Sequence, residues 1–218
     1  MRRKTGDFGI TTFGRASLGV AGTLHDRLVI NRRVDVLSSW FAELAPRNAR
    51  ILDVGCGDGL LSASICSKRP DLDIRGLEVL HRDHTHIPVK IFDGSTIPFA
   101  DGRFDAVLFS DVLHHTEDPT LLLREAWRVA GQWVLIKDHY RKGFAAAQRL
   151  RFMDWVGNAR FGVALPYNYW TENQWQKAWK EIGLQPDELI TRLGLYAPPA
   201  NWFFGAQLHF MTRLKKVA

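Results

Sequence analysis

The sequence has little cysteine and no long hydrophobic run. Cys56 and Cys66 are the only cysteines among 218 residues and do not form a Cys-x-x-Cys pair, so we expect neither a disulfide framework nor a structural zinc site. No apolar stretch approaches the roughly 18 residues that cross a bilayer. The basic first residues lack the apolar run of a secretory signal. These absences predict a cytoplasmic protein without a transmembrane segment.

Low-complexity segments and internal repeats are also missing. The chain carries 29 basic and 23 acidic residues, a formal net charge of +6. This modest excess is not gathered into a basic block interleaved with stacking aromatic residues, so we expect no nucleic-acid partner. The length suits one α/β domain with an ample core.

From residue 50 onward, short apolar runs alternate with helical patterns. Seven strands are predicted, at residues 50–54, 73–77, 88–92, 104–109, 132–137, 184–192 and 205–214. Asp118 and Pro119 mark the start of a helix that Gly131 is expected to close, and Thr171 begins a capping box. The alternation predicts an α/β fold with a doubly wound, mostly parallel sheet, covered on both faces.

We expect one domain over residues 1–218. Residues 1–48 are predicted to form an N-terminal arm and a helix, because apolar residues recur at helical spacing from His25 to Leu44. Residues 139–170 exceed what the basic fold needs, so we interpret them as an insertion that caps the substrate.

A glycine-rich loop follows the first predicted strand. Residues 51–60 read Ile-Leu-Asp-Val-Gly-Cys-Gly-Asp-Gly-Leu, a strand that leads through a glycine loop into a helix. Glycines permit a tight turn and a close approach of ligand to backbone. A dinucleotide site would have Gly-x-Gly-x-x-Gly, whereas the third glycine here comes one residue early. Asp53, just before the loop, can pair with a cationic ligand, anchor the loop, or do both.

Glu78 ends the second predicted strand. In folds of this kind, an acidic residue roughly 20 positions after the glycine loop accepts hydrogen bonds from ribose hydroxyls. An exposed loop acid is the alternative, but the preceding glycine loop favours the ribose role.

Further motifs follow the third and fourth strands. They read Asp93-Gly-Ser-Thr-Ile-Pro-Phe99, then Phe104-Asp105, then Leu113-His-His115 before Glu117-Asp-Pro119. Together with the loop and Glu78, they make residues 49–136 resemble the class I S-adenosylmethionine (SAM)-dependent methyltransferases, chiefly the small-molecule branch that includes ubiquinone and menaquinone biosynthesis enzymes. The resemblance implies a Rossmann-like, seven-stranded sheet with an antiparallel last strand, SAM as cofactor, and a small, aromatic or lipid-like methyl acceptor.

The resemblance also implies which residues contact the cofactor. The methionine moiety is assigned to Asp53, Gly55, Cys56, Gly57 and Gly59, the ribose to Glu78, the adenine to Val79, Asp93, Gly94 and Ser95, and the sulfonium end to Ser110 and Asp111.

The acceptor is expected beyond the carboxyl ends of strands four and five. Asp138 or His139 could take a proton from it, Tyr140 could orient it, and His114 and His115 are competing bases or helix-capping residues. Methyl transfer depends largely on alignment, so a dedicated base is not required.

The 139–170 insertion is rich in aromatic residues, which either line an apolar acceptor pocket or pack the cap onto the sheet. Its basic residues would also suit contact with an anionic membrane surface.

Two alternatives to a methyltransferase are considered. A nicotinamide-dependent oxidoreductase is disfavoured by the glycine spacing. A SAM-binding partner subunit without turnover would share the cofactor motifs, because binding alone does not establish catalysis. The histidines at 81, 84 and 86 are scattered in a loop without a matching acidic pattern, so we expect no metal. The sequence gives no oligomeric state.

Overall fold

The computed structural model describes residues 31–158, 166–205 and 207–217. Its strands are β1 Arg50–Val54, β2 Asp73–Glu78, β3 Val89–Ile91, β4 Phe104–Ser110, β5 Ala130–His139, β6 Leu184–Ile190 and β7 His209–Lys216. Its helices are α1, described over residues 31–44, α2 Leu60–Lys68, α3 Pro119–Val129, α4 Ala146–Asn158 and α5 Glu172–Ile182. Short helical turns occupy Leu113–His115 and Asn201–Gly205.

The seven strands form one sheet in the order β3-β2-β1-β4-β5-β7-β6. Strands β1 to β5 pair in parallel, whereas β7 runs antiparallel to both β5 and β6. The predicted seven-stranded, mostly parallel sheet with an antiparallel last strand is confirmed. The chain order reverses direction across the sheet between β1 and β4, where ligands bind in such folds.

The sheet is buried on both faces. One core cluster packs Leu122 of α3 and Trp175 of α5 against the sheet, and a second packs Phe41 of α1 and Ile65 of α2 against its other face. Burial on both sides explains why the central strands are continuously apolar rather than alternating.

Side-chain caps set the starts of two helices. Asp118 accepts a hydrogen bond from the Thr120 N–H, with Pro119 at the first helical position. Thr171 and Gln174 form the predicted reciprocal capping box. The expectation that Gly131 closes α3 is wrong: α3 ends at Val129 and β5 begins at Ala130, so Gly131 already belongs to the strand.

The insertion after β5 contains α4, which the sequence analysis did not identify as a helix. The last strand begins at His209 rather than at residue 205, because residues 201–205 are helical. Residues 159–165 of the predicted cap and residues 1–30 of the predicted arm lie outside the described residues. Within the described ranges, no helix combines the length and apolarity needed to cross a membrane.

Candidate functional site

The glycine loop turns tightly at the carboxyl end of β1. Its three glycines have positive φ angles of 73°, 60° and 79° at Gly55, Gly57 and Gly59. A Cβ at Gly55 would lie 2.6 Å from Val112, and one at Gly59 would lie 2.5 Å from Ile87. A Cβ at Gly57 would meet nothing within 4 Å. Gly55 and Gly59 therefore pack the loop, whereas Gly57 borders open space at the carboxyl end of β1, which we call the crevice.

Glu78 lies at the neighbouring strand end and contacts this loop. Its Oε2 accepts a 2.7 Å hydrogen bond from the Gly57 N–H, and its Oε1 accepts bonds from the Val79 and Leu80 N–H groups at 2.8 and 3.2 Å. The carboxylate is buried. These bonds hold a negatively charged group at the edge of the crevice.

Asp53 lies beneath the loop. It is buried, and its Oδ2 accepts a 2.6 Å hydrogen bond from the Ser62 hydroxyl of α2. Burial raises the pKa of Asp53 to about 7; the Ser62 hydrogen bond opposes this rise and the Glu78 charge adds to it. Cys56 is half-buried. Its Sγ packs against Gly76, where an added Cβ would lie 2.4 Å from the sulfur. These contacts favour the loop-anchoring role of Asp53.

The residues assigned to adenine come together next to Glu78. Val79 is exposed, and a Cβ on Gly94 would lie 3.1 Å from its side chain. Asp93 accepts 2.8 Å hydrogen bonds from the N–H groups of Ser95 and Thr96, which lower its pKa. The turn at residues 93–96 thus lies against an exposed apolar side chain.

Asp111 follows β4, has a positive φ of 58°, and pairs with two cationic side chains. Its carboxylate forms ion pairs with Arg33 of α1 and with the buried Lys137 of β5. Burial alone would raise the pKa of Asp111, but the charges of Arg33 and Lys137 hold it well below its usual value. Burial and the Arg33 charge lower the pKa of Lys137 to about 8 despite Asp111. Ser110 lies half-buried directly before this cluster.

A buried imidazole pair lies next to Asp111. His114 Nδ1 is 2.7 Å from Asp138 Oδ1, and His139 Nδ1 is 3.4 Å from His114 Nδ1 and 3.3 Å from the same oxygen. Burial disfavours the charged form of His114, yet the Asp138 charge and hydrogen bond raise its pKa to about 9. Burial, Lys137 and His114 lower the pKa of His139 to about 4. Near neutral pH the pair therefore carries one positive charge, on His114.

Asp154 of α4 closes the other side of this cluster. Its Oδ1 lies 3.7 Å from His114 Nε2 and 3.6 Å from His115 Nε2, and its Oδ2 accepts a 2.8 Å hydrogen bond from the Tyr169 hydroxyl. Burial and the His114 charge lower the pKa of His115. The insertion after β5 thus contributes a carboxylate to the site.

Two expectations about side chains need correction. Tyr140 was expected to orient the acceptor, but its ring is buried in the core and stacks on Phe210 with centroids 4.3 Å apart. His114 does not cap α3: Asp118 provides that cap, and the His114 ring bonds Asp138.

Two overlapping groups have ligand atoms close enough to hold a metal ion. Within the described ranges they are His114–Asp138–His139 and His114–His115–Asp154, each with atoms within 4.8 Å of one another. Both groups include His114, whose imidazole nitrogen must lose its proton before it can bind a metal.

A surface cavity of about 330 Å³ lies beside β7. It is lined by residues 191–195 and by Asn201, Gly205, Gln207 and His209. His209 Nδ1 lies 3.2 Å from Lys137 Nζ. One residue of the cavity wall therefore contacts the charged cluster, and the size of the cavity is in the range of small-ligand pockets.

Comparisons with known proteins agree with this geometry. A family model described as a methyltransferase domain matches residues 27–189, well over half of the chain, so the protein belongs to that family. A SAM-dependent methyltransferase from Thermotoga maritima has a similar fold, with a TM-score of 0.60 and 16% identity over 91% of this chain and 98% of that one. The family implies SAM as the methyl donor.

Among curated relatives, the chain is 35% identical over 95 residues to a ubiquinone biosynthesis O-methyltransferase from Xanthomonas axonopodis pv. citri, covering 38% of this chain and 39% of the relative. It is 29% identical over 127 residues to an uncharacterized methyltransferase from Schizosaccharomyces pombe, covering 49% of this chain and 46% of the relative. The chain thus spans less than half the length of these relatives. The resemblance of its sequence to the SAM-dependent methyltransferases is confirmed.

Sequence reasoning missed Arg33, Lys137 and Asp154 as site residues. A lysine at the end of a fully apolar strand was a usable signal, since buried lysines require partners. Arg33 and Asp154 lie on helices whose contact with the site depends on tertiary packing.

Proposed function

We propose that this protein transfers a methyl group from SAM to a small acceptor whose nucleophilic atom carries an ionisable proton. The observation that supports this most is the open crevice at Gly57, bordered by the buried carboxylate of Glu78 at the next strand end. The cofactor half of the proposal concerns this crevice, and the acceptor half concerns the charged cluster at the ends of β4 and β5.

The crevice residues fit an adenosyl ligand. Glu78 Oε2 accepts one backbone hydrogen bond, which leaves acceptor capacity for a ribose hydroxyl, because each carboxylate oxygen can accept about two. The exposed Val79 side chain, next to Gly94, offers an apolar surface for a purine. Gly57 leaves room for the amino-acid end, because no Cβ fills the space it faces.

Bound SAM would supply an electrophilic methyl group on a sulfonium. The cluster at β4 and β5 would prepare the acceptor. His139 is neutral above about pH 4 and can accept a proton, while protonated His114 and Lys137 supply positive charge next to an oxyanion. Asp138 fixes both imidazoles, since its Oδ1 lies within 3.3 Å of each Nδ1. His115, beside Asp154, is the second candidate base.

Calorimetric titration with SAM, its demethylated product S-adenosylhomocysteine, and NAD tests the cofactor half. We expect the two adenosyl compounds to bind and NAD not to bind. Glu78→Ala should weaken SAM binding roughly tenfold or more, as expected for losing a charge-assisted hydrogen bond. Glu181→Ala is the matched control, because Glu181 is exposed on α5 and should leave affinity unchanged. Tighter binding of NAD than of SAM would refute the proposal.

Turnover tests the acceptor half. Incubation with SAM and a panel of phenols, quinols and lipid precursors should produce S-adenosylhomocysteine together with a product one methyl group heavier, detected by mass spectrometry. His139→Gln should lower that rate while SAM affinity is retained. Equal rates for the variant and the native chain would remove His139 from the reaction.

A further inference from the structure

The exposed aromatic side chains are concentrated on one surface. Among the residues that the structure describes, every exposed Phe or Trp lies on α4, in the segment just before it, or in the helical turn at 201–205. We call these residues the aromatic surface: Phe144, Phe152, Trp155, Trp202 and Phe203. All are more than half exposed, and Phe144 and Trp202 are 93% and 83% exposed. Exposed apolar side chains are normal when scattered, whereas a contiguous group indicates an interaction site.

Direct contacts hold the parts of this surface together. The Arg149 guanidinium donates hydrogen bonds to the Phe144 and Phe203 carbonyl oxygens, with Nε 2.7 Å from the Phe203 oxygen. The Phe152 ring stacks on Phe204, with centroids 6.3 Å apart. The aromatic residues of α4 and of the 201–205 turn therefore belong to one continuous face.

The charges beside the aromatic surface are mainly positive. Over residues 141–158 the basic side chains are Arg141, Lys142, Arg149 and Arg151, and the one acid is Asp154. Asp154 is buried beside His114 and His115, and Glu172 of α5 forms a 3.0 Å ion pair with Lys142, so the basic side chains outnumber the acids around this surface. Residues 196–205 carry no charged side chain. The surface therefore combines aromatic rings with positive charge.

We propose that the aromatic surface docks onto an anionic lipid bilayer. Trp and Phe side chains insert at the level of the lipid headgroups, and nearby Arg and Lys are attracted to anionic lipids. The chain would lie on the membrane through α4 and the 201–205 turn. This proposal does not depend on the methyl-transfer reaction.

A second copy of the chain fits this surface less well. A two-fold symmetric interface brings the same patch of each copy together, so the excess positive charge of both copies would meet at the interface. An anionic bilayer instead supplies the missing negative charge and an apolar phase for the rings.

The position of the surface links it to the cavity that reaches His209. The 201–205 turn lines this cavity with Asn201 and Gly205, and the same turn exposes Trp202 and Phe203. A docked chain would therefore place the cavity wall beside the headgroups, where an apolar acceptor dissolved in the bilayer could reach it.

Flotation of the full chain with vesicles tests the proposal. Vesicles of phosphatidylcholine alone are compared with vesicles that also contain phosphatidylglycerol. We expect binding to the anionic vesicles, weaker binding to the neutral ones, and release at high salt. Replacing both Trp155 and Trp202 with Ser should weaken binding roughly tenfold or more. Leu121→Ser, which changes an exposed apolar residue on α3, should leave binding unchanged.

Thermal melts check that the Trp155/Trp202 double replacement and Leu121→Ser remain folded. Phe144→Ser, which lies outside any helix, provides a second test of the surface. Absence of binding to anionic vesicles would overturn the proposal, as would binding that the Trp and Phe replacements leave intact. A dimer in size-exclusion chromatography that only these replacements dissociate, with no vesicle binding, would assign the surface to a second copy instead. Cofactor titration is independent, so failure here leaves the proposed reaction untouched.

Discussion

Replacing Asp53 with Asn should stabilise the protein in a pH-dependent way. The Asp53 carboxyl is buried and its pKa is raised from 3.8 to about 7. The folded chain therefore binds a proton that the unfolded chain releases between about pH 4 and 7, so native stability falls as pH rises through this window. Asn cannot ionise, and its side-chain carbonyl can still accept the Ser62 hydrogen bond.

The size of the effect follows from the pKa difference. A shift of about three pKa units corresponds to about 4 kcal/mol at pH 8, an upper bound because the buried site relaxes when Asp53 ionises. The stability difference between Asp53→Asn and the native chain should shrink toward zero near pH 4. Urea unfolding at pH 4, 6 and 8, without cofactor, measures this difference at each pH.

Asp71→Asn is the control with the opposite sign. The Arg69 side chain and the Asn48 N–H lower the pKa of Asp71, so its charged form supports folding and this contribution disappears as pH falls. Asp71→Asn should therefore be less stable than the native chain at pH 8 and approach it in acid. A stability difference for Asp53→Asn that stays constant from pH 4 to 8, or a loss at pH 8, would refute the account of the buried carboxyl.

Three further outcomes are expected. With His139 neutral above about pH 4 and Lys137 protonated below about pH 8, the rate at saturating SAM should be level between these values and fall outside them; a steep change near pH 6.5 would contradict the assigned proton positions. Gly55→Ala should unfold at a lower urea concentration than Gly57→Ala, because the Cβ added at Gly55 would lie 2.6 Å from Val112. Gly57→Ala should chiefly weaken SAM binding. A lower unfolding midpoint for Gly57→Ala than for Gly55→Ala would show that the loop packs differently. Treatment with EDTA should leave methyl transfer unchanged, because the imidazole cluster is assigned to a proton, and loss of activity that Mg²⁺ or Zn²⁺ restores would assign it to a metal.

The architecture was predictable because its signals are local. Apolar runs buried on both faces mark the parallel strands, and Asp118 and Thr171 mark helix starts through bonds to groups only a few residues away. The loop around Gly57 and the carboxylate of Glu78 could be found because the residues of each feature are neighbours in sequence.

The acceptor end was less predictable because distant segments build it. Arg33 meets Asp111 across 78 positions, and Asp154 comes from a helix whose periodicity gave no indication of its contact with His114. Tyr140 shows the same limit. Its ring stacks on Phe210 of β7 inside the core, a contact between segments distant in sequence that the local pattern does not indicate.

A crystal structure of the protein grown with S-adenosylhomocysteine tests the central claim most directly. We expect the adenosyl group in the crevice that Gly57 faces, with its ribose hydroxyls hydrogen-bonded to Glu78. An empty crevice at saturating ligand, or adenosyl density away from Glu78, would contradict the assignment of this site.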